Sequence, residues 1–188
     1  MSGKILAAAY DGVYELKFIG DVRLTISGAI DGFLERMFSD AEFKSVLVDL
    51  SEIDAIDSTS LGLLAKLSIE AGRRFDYVPT LVSTRPDVTR ILLTMGFEDV
   101  FHIIDAPLSE TAQLTELPRL AHTREDVLRS QVIDAHRTLM SMNARNEDTF
   151  KDLMAVLEAD PDQHLFSEGQ TPRTPQAEGS SPPKAASL

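Results

Sequence analysis

The feature that most constrains the fold is a short apolar run, VLVDL at 46–50, followed closely by an amphipathic run, LGLLAKLSIEAG at 61–72. A continuous apolar run of this length is typical of a strand covered on both faces. In the second run, residues of one helical face recur at three- and four-residue spacing: Leu61, Leu64, Ala65, Leu67, Ser68 and Ala71. A strand followed by a helix predicts a right-handed crossover to a parallel strand.

Two alternating runs at the start of the chain predict a β-hairpin. Residues 4–10 and 13–19 flank Asp11-Gly12, a pair that tolerates the positive φ angles of a tight hairpin turn. In the second run, Glu15 and Lys17 alternate with apolar neighbours, as in a half-buried strand.

The remaining elements of the first 105 residues follow from the same periodicities. They are a helix at 25–38, a strand at 77–82, a helix at 86–95 that faces Val88, Ile91, Leu92 and Met95 inward and ends at Gly96, and a strand at 100–104. The order β-β-α-β-α-β-α-β predicts an α/β fold, in which helices cover a mixed, mostly parallel β-sheet.

The chain changes character after Pro107. The elements predicted there are a short helix at 109–117, a helix N-cap at Thr123, a helical stripe from Val127 to Met142, and a helix at 147–158 with Phe150, Leu153, Met154 and Leu157 inward. From about 160 the chain has almost no large apolar residues, which predicts disorder. We therefore expect a domain at 1–106, a helical extension at 107–159 and a disordered tail at 160–188.

The helical extension admits two interpretations. Its helices could pack on the domain or form a helical hairpin. They could instead bind a partner or dimerise, for which the Met-rich stretch TLMSMN at 138–143 would supply an adaptable apolar contact.

Composition excludes several functional classes. The net charge of −12 is spread over both halves of the chain, and it disfavours binding to nucleic acid and to anionic membranes. The chain has no cysteine, which excludes disulfides, thiolate metal sites and cysteine nucleophiles. The N-terminal apolar run is too short for a signal peptide, and no window approaches the length of a membrane span. We expect a soluble, cytoplasmic protein that needs no cofactor and no metal.

Three adjacent hydroxyl residues, Ser58, Thr59 and Ser60, lie where the predicted strand gives way to the helix. In the simplest interpretation, Ser58 is the helix N-cap. The same position suits a phosphorylation switch, because the free N–H groups and the dipole of a helix N-terminus tolerate a phosphate. With Asp54 and Asp57 close by, the added charge would make the patch strongly anionic and expel a partner.

The segment VLVDLSEIDAIDSTSLGLLAKL at 46–67 resembles the STAS domain of bacterial anti-sigma factor antagonists. The family motif is an apolar strand ending in Asp, a short loop, and Asp-Ser-Ser/Thr-Gly-Leu opening a helix. The residues of this chain that match it are Asp57, Ser58, Thr59, Leu61 and Gly62. The opening hairpin and RPDVTRILLTMGFEDVFHII at 85–104 are also similar to the family. The resemblance implies the STAS fold, with the C-terminal helices as an extension.

The resemblance also implies a function in transcription regulation and signal transduction. The unmodified protein would bind an anti-sigma factor or serine kinase, phosphorylation at Ser58 would release that partner, and a serine phosphatase would restore the contact. The chain itself would not be an enzyme. Ser58 ranks first as the acceptor, before Thr59 and Ser60. The implied partner surface comprises Asp21, Asp54, Asp57, Ser58, Thr59, Ser60 and Leu61.

Ser60 departs from the family motif, which usually has Gly at this position. We expect its side chain to lie on the docking surface. Asp21 is expected in a loop near the acceptor, and Asp49 at a strand end.

Other functions compete with this hypothesis. The same switch could act on another output, such as a diguanylate cyclase, or the chain could be a scaffold subunit of a larger signalling assembly. A Ser58 hydrolase is a third class, but no Gly-x-Ser-x-Gly elbow surrounds the serine. The histidines, at 102, 122, 136 and 164, show no metal-ligand spacing. No Gly-x-x-x-x-Gly-Lys phosphate loop is present.

Overall fold

The computed structural model describes residues 3–23, 27–106, 113–117 and 124–159. Six strands form one sheet: β1 (Lys4–Tyr10), β2 (Val13–Val22), β3 (Ser45–Ile56), β4 (Thr80–Val82), β5 (His102–Ile104) and β6 (Thr115–Glu116). Five helices accompany them in the described ranges: α1 (Ser27–Phe38), α2 (Ser58–Phe75), α3 (Pro86–Thr94), α4 (Glu125–Met142) and α5 (Ala144–Ala159).

The sheet has the strand order β5-β4-β3-β2-β1-β6. Strands β2 to β5 are parallel to one another, and β1 pairs antiparallel with both β2 and β6. The predicted α/β fold with a mixed, mostly parallel sheet is therefore confirmed.

The predicted hairpin is confirmed together with its turn. Asp11 and Gly12 have φ angles of 48° and 79°, and Tyr10 pairs with Val13 across the turn. The expectation that β2 is buried on one face only was wrong, because Glu15 and Lys17 are buried as well. Strand β2 lies inside the sheet between β1 and β3, and the Lys17 Nζ lies 2.7 Å from the Glu52 carboxylate of β3, which compensates its charge.

Strand β3 is longer than predicted, since it continues through SEIDAI to Ile56. Its pairing with β2 persists past two irregularities, one of them at Gly20, whose φ is 73°. The predicted positions of two acids were consequently wrong. Asp21 lies within β2 rather than in a loop, and Asp49 lies within β3, where it is buried with its carboxylate 3.7 Å from the Lys17 ammonium.

The core is mostly aliphatic, with several phenylalanines, and lies against the sheet and helix α2. Its largest fully buried side chains include Leu16, Phe18, Leu50, Leu64, Leu67, Leu81, Leu92 and Phe97. Every residue of the predicted α2 stripe is buried. In α3, Val88 and Leu92 face inward as predicted, whereas Ile91 is exposed. Gly96 adopts a φ of 80° just beyond α3, which matches its predicted role as a helix-ending residue.

The segment beyond residue 106 contributes to the sheet. Strand β6 pairs with β1 at Leu6–Glu116 and Ala7–Thr115, so the helix predicted at 109–117 was wrong at its end. The pairing supplies backbone partners to the outer edge of β1, which would otherwise be open. The start of that predicted helix, the predicted cap at Thr123 and the predicted disordered tail at 160–188 lie outside the described residues.

Helices α4 and α5 form an antiparallel hairpin, called the C-terminal hairpin below (Glu125–Ala159). Phe150, Met154 and Leu157 face inward as predicted, whereas Leu153 is exposed. Buried Asn146 fixes the turn, because its side-chain amide donates to the carbonyls of Leu139 and Met95, at 2.9 Å each. Asn143 accepts the Asn146 N–H at 2.9 Å and also donates to the Met95 carbonyl at 3.2 Å. The two asparagines thus fasten the hairpin turn to the end of α3.

No helix within the described ranges has both the length and the apolar character needed to cross a membrane.

The Tyr14–Asp40 pair predicts an alkaline pH dependence. The Tyr14 hydroxyl donates to Asp40 at 2.6 Å, and burial, assisted by this bond, raises the pKa of the Tyr14 phenol from 10.0 to about 12. Between pH 10 and 12 the unfolded chain loses this proton while the folded chain keeps it. The protonated Tyr14 hydroxyl therefore makes its full contribution to the free energy of unfolding below pH 10. This contribution is lost as the pH rises towards 12, by at most about 1.4 kcal/mol per pH unit. In urea titrations between pH 10 and 12, the free energy of unfolding of Tyr14→Phe should fall less steeply with pH than that of the wild type. Exposed Tyr10→Phe is the control, and equal slopes for wild type and Tyr14→Phe would contradict the assignment.

Candidate functional site

The candidate site is the junction between β3 and α2, where one residue separates strand from helix. Asp57 is the N-cap of α2, with extended backbone, and its carboxylate accepts the Ser60 N–H at 2.8 Å. The expectation that Ser58 is the N-cap was wrong. Ser58 is the first residue of the helix, so its hydroxyl is not used in capping and is available for another contact.

The end of β2 lies beside this junction. The Asp57 N–H donates to the Val22 carbonyl at 3.3 Å, and Asp21 pairs with Ala55 in the sheet. The Arg23 guanidinium contacts the Asp21 carboxylate at 2.8 Å, and this hydrogen bond lowers the pKa of the Asp21 carboxyl below its ordinary value. Asp21 therefore lies near the helix N-terminus.

The acidic rim is partly neutralised by arginines. Arg85 lies 3.5 Å from Asp54, and the charge of Asp57 also acts on Arg23. The patch is thus less anionic than the carboxylates alone suggest. A phosphate added here would meet a mixed rather than a purely repulsive field.

The three hydroxyl residues differ sharply in burial. Thr59 is 5% exposed and Ser60 is 1% exposed, whereas Ser58 is only partly buried. Leu61 is 3% exposed. Of the three hydroxyls, Ser58 is therefore the most accessible.

The Ser58 hydroxyl contacts a residue that sequence reasoning missed. Its Oγ lies 2.9 Å from Nε2 of His136 on α4, and His136 is 2% exposed. His136 Nδ1 lies 2.8 Å from the Val132 carbonyl, which can only accept, so Nδ1 carries a proton. In the neutral ring Nε2 then accepts, and the Ser58 hydroxyl donates to it. The ring of Phe150 packs edge-on against the imidazole, with centroids 5.0 Å apart.

Helix α4 also lies close to α2 one turn beyond Ser58. A Cβ built on Gly62 would lie 2.4 Å from the carbonyl oxygen of Ala135 and 2.6 Å from its Cβ, which are distances that real Cβ atoms do not reach. Glycine at position 62 is what allows the two backbones to lie this close. Ser58 and Gly62 are four residues apart and share one side of α2, called the Ser58 face below.

The arrangement joins residues that are far apart in the chain. The Ser58–His136 contact spans 78 positions, and no local motif marks it. The available signal was the helical spacing of Ala135, His136 and Leu139, all of which are buried. That spacing predicts a buried face on α4 but not the surface that the face binds.

Comparison with known proteins identifies the domain. A family model for the STAS domain matches residues 4–112, which is more than half of the chain. The chain belongs to the STAS domain family. This STAS protein also matches a crystal structure of an anti-sigma factor antagonist from Mycobacterium paratuberculosis at 20% sequence identity, with a TM-score of 0.48 over 56% of this chain and 87% of that chain. The search of curated proteins finds no match.

The capping assignment yields a direct prediction. Asp57→Ala should lower the free energy of unfolding by about 1 kcal/mol, because the Ser60 N–H loses its acceptor, whereas Asp57→Asn should cost only a few tenths. Chemical denaturation of the two variants checks this. A loss of equal size in both would show that the carboxylate charge, and not the cap, stabilises the helix start.

Proposed function

We propose that this STAS protein is a phosphorylation-switched anti-sigma factor antagonist, with Ser58 as the acceptor. The observation that carries the proposal is that Ser58 combines the acceptor position of the family motif with a hydroxyl outside the helix cap, while Thr59 and Ser60 are buried. The unmodified protein binds an anti-sigma factor or serine kinase in the cytoplasm of a bacterium, and the modified protein releases it. The chain catalyses nothing itself.

The modification is an ordinary phosphoryl transfer supplied by the partner kinase. Ser58 Oγ attacks the γ-phosphorus of a nucleoside triphosphate, the new O–P bond forms, and the bond to the β-phosphate oxygen breaks. The nucleoside diphosphate leaves, and the hydroxyl proton passes to the base of the kinase. A separate serine phosphatase hydrolyses the ester and restores the hydroxyl.

The N-terminus of α2 tolerates the negative charge of a phosphate, but the surface changes. At the first residue of α2 the phosphate adds about −1.5 to −2 charges close to the helix N-terminus, where the dipole favours negative charge. Asp54 and Asp57 already lie there. The proposed partner surface comprises Asp21, Asp54, Asp57, Ser58, Thr59, Ser60 and Leu61, of which the last three contribute backbone and shape because their side chains are buried.

Ser58 substitutions test the proposal. Ser58→Ala should bind the partner at least as tightly as the wild type, and Ser58→Asp should bind it about tenfold or more weakly than Ser58→Ala, because a desolvated carboxylate would face the partner. Exposed Ser39→Asp adds the same charge at the end of α1 and should leave affinity unchanged.

Affinities are measured by calorimetry with the anti-sigma factor or kinase recovered with the Ser58→Ala protein. Equal affinities for Ser58→Ala and Ser58→Asp would contradict the switch, as would mass spectrometry that finds phosphate only outside residues 58–60. The identity of the recovered partner also separates this output from a diguanylate cyclase or a scaffold assembly.

A second candidate function, hydrolysis at Ser58, is favoured by the Ser58–His136 pair. An imidazole that accepts from a serine hydroxyl has the geometry of a nucleophile and its general base. The orienting group is a backbone carbonyl rather than a carboxylate, and His136 is almost fully covered. A cavity of about 1110 Å³ is lined by residues such as Thr89, Leu93 and His102 and by neither member of the pair. We therefore rank hydrolysis below the switch.

A serine-directed fluorophosphonate separates the two functions. We expect no covalent adduct on Ser58 after prolonged incubation, as measured by intact-protein mass spectrometry. An adduct on Ser58 that His136→Ala abolishes would make hydrolysis the better proposal.

A further inference from the structure

The C-terminal hairpin covers the surface on which the proposed switch depends. The Ser58 Oγ lies 2.9 Å from Nε2 of His136, and Gly62 lies against the backbone of Ala135. The side chains of α4 on this side, those of Ala135, His136 and Leu139, are all almost fully buried. The Ser58 face is therefore a helix-binding surface, and in this structure α4 of the same chain occupies it.

The fit leaves no room for a phosphoryl group or for a second protein. Donor and acceptor are in direct contact at Ser58, so a phosphorus atom and three oxygens cannot be inserted while His136 stays in place. At Gly62 the space is too small even for one added carbon. A kinase that modifies the Ser58 hydroxyl, or a partner that packs against Gly62, must therefore displace α4 from α2.

Polar contacts hold the hairpin to the rest of the domain in addition to its apolar side. Gln131 of α4 donates to Asp31 of α1 at 2.8 Å. At the other end, Asn143 and Asn146 donate to the Met95 carbonyl beyond α3. Leu139 and Phe150 join the main core. The polar contacts lie at the two ends of the hairpin and the apolar contacts lie between them, an arrangement that suits opening of the hairpin as one unit.

We propose that the C-terminal hairpin is a lid that competes with the protein partner for the Ser58 face, so that the partner and the kinase act only on the open form. This inference rests on the proposed function for the identity of the competitor. The occlusion of Ser58 does not depend on it. The apparent dissociation constant for the partner then equals the intrinsic one divided by the open fraction, and a variant that opens the lid raises affinity by the same factor.

The lid is tested first without any partner. The chain has no cysteine, so full-length Ser58→Cys carries a single thiol whose reaction with Ellman's reagent reports access to position 58. In the closed lid this reaction should be at least about tenfold slower than in guanidinium chloride, where the chain is unfolded. Adding Asn143→Ala and Asn146→Ala should speed it about tenfold or more, because the turn loses its hold on Met95. Adding Val156→Ala, at a position 61% exposed on α5, should leave the rate within about twofold.

The direction of the expected change in labelling rate distinguishes access to the thiol from activation of the thiol by the His136 imidazole. Removing His136 from the thiol can only weaken any activation of the sulfur, so faster labelling in the double-asparagine background reports access. A labelling rate in the folded protein equal to that in the unfolded chain would overturn the lid. So would equal rates with and without the two asparagines.

A second variant and a second measurement guard against misfolding. Gly62→Ala forces α4 away from α2 without removing any of the polar side chains named above. Amide hydrogen exchange of this variant should accelerate in residues 58–64 and in α4, while β3 keeps wild-type protection. Unchanged hydrogen exchange in α4 would overturn the lid, because it would show that a methyl group fits at position 62 without any displacement of α4.

Measuring the affinity of the lid variants for the partner distinguishes failure of the lid from failure of the proposed function. With the partner recovered by Ser58→Ala, the double-asparagine protein should bind tighter by the same factor as its labelling rate rises. Faster labelling with unchanged affinity would overturn the competition. Tighter binding that is insensitive to Ser58→Asp would instead uphold the lid and contradict the phosphorylation switch.

Discussion

The one-residue link between β3 and α2 is the constraint on which the site depends. Strand β3 is held by β2 on one side and β4 on the other, so the position of Ile56 is fixed by the sheet. The Asp57 carboxylate then accepts the Ser60 N–H, and the Asp57 N–H donates to the Val22 carbonyl. With both bonds in place, α2 can start at Ser58 in one direction only. The hydroxyl of Ser58 is thereby presented by rigid elements, which suits a surface that a partner must recognise.

The second constraint is the close contact between α2 and α4. Close approach of two helices needs small residues, and here Gly62 meets Ala135. That approach brings His136 to Ser58, and the carbonyl of Val132 sets the tautomer that can accept the hydroxyl proton. The imidazole thus satisfies a hydroxyl that the contact would otherwise bury without a partner. Packing and hydrogen bonding consequently support the same placement of the hairpin.

Much of the fold could be predicted from local patterns, and the exceptions have physical causes. Asp11-Gly12 specified the first hairpin because its turn needs positive φ at both positions, and the α2 stripe specified its buried face. The second half of β3 was missed because SEIDAI lacks an apolar run, yet it pairs with β2 past the irregularity at Gly20. Strand β6 was missed because a strand of two residues is too short to show an alternating pattern of apolar and polar side chains. The contact between Ser58 and His136 was missed because it depends on tertiary packing across 78 positions.

The departure of Ser60 from the family motif acquires a different meaning from the one its position in the sequence suggested. Successive helical residues turn by about 100°, so Ser60 points away from Ser58, towards the side of Leu64 and Leu67. All three are almost fully buried, and Leu64 and Leu67 belong to the main core. Ser60 therefore adds no side chain to the surface that a partner would meet. The glycine that permits close approach on that surface is Gly62, and in this chain it serves the protein's own hairpin.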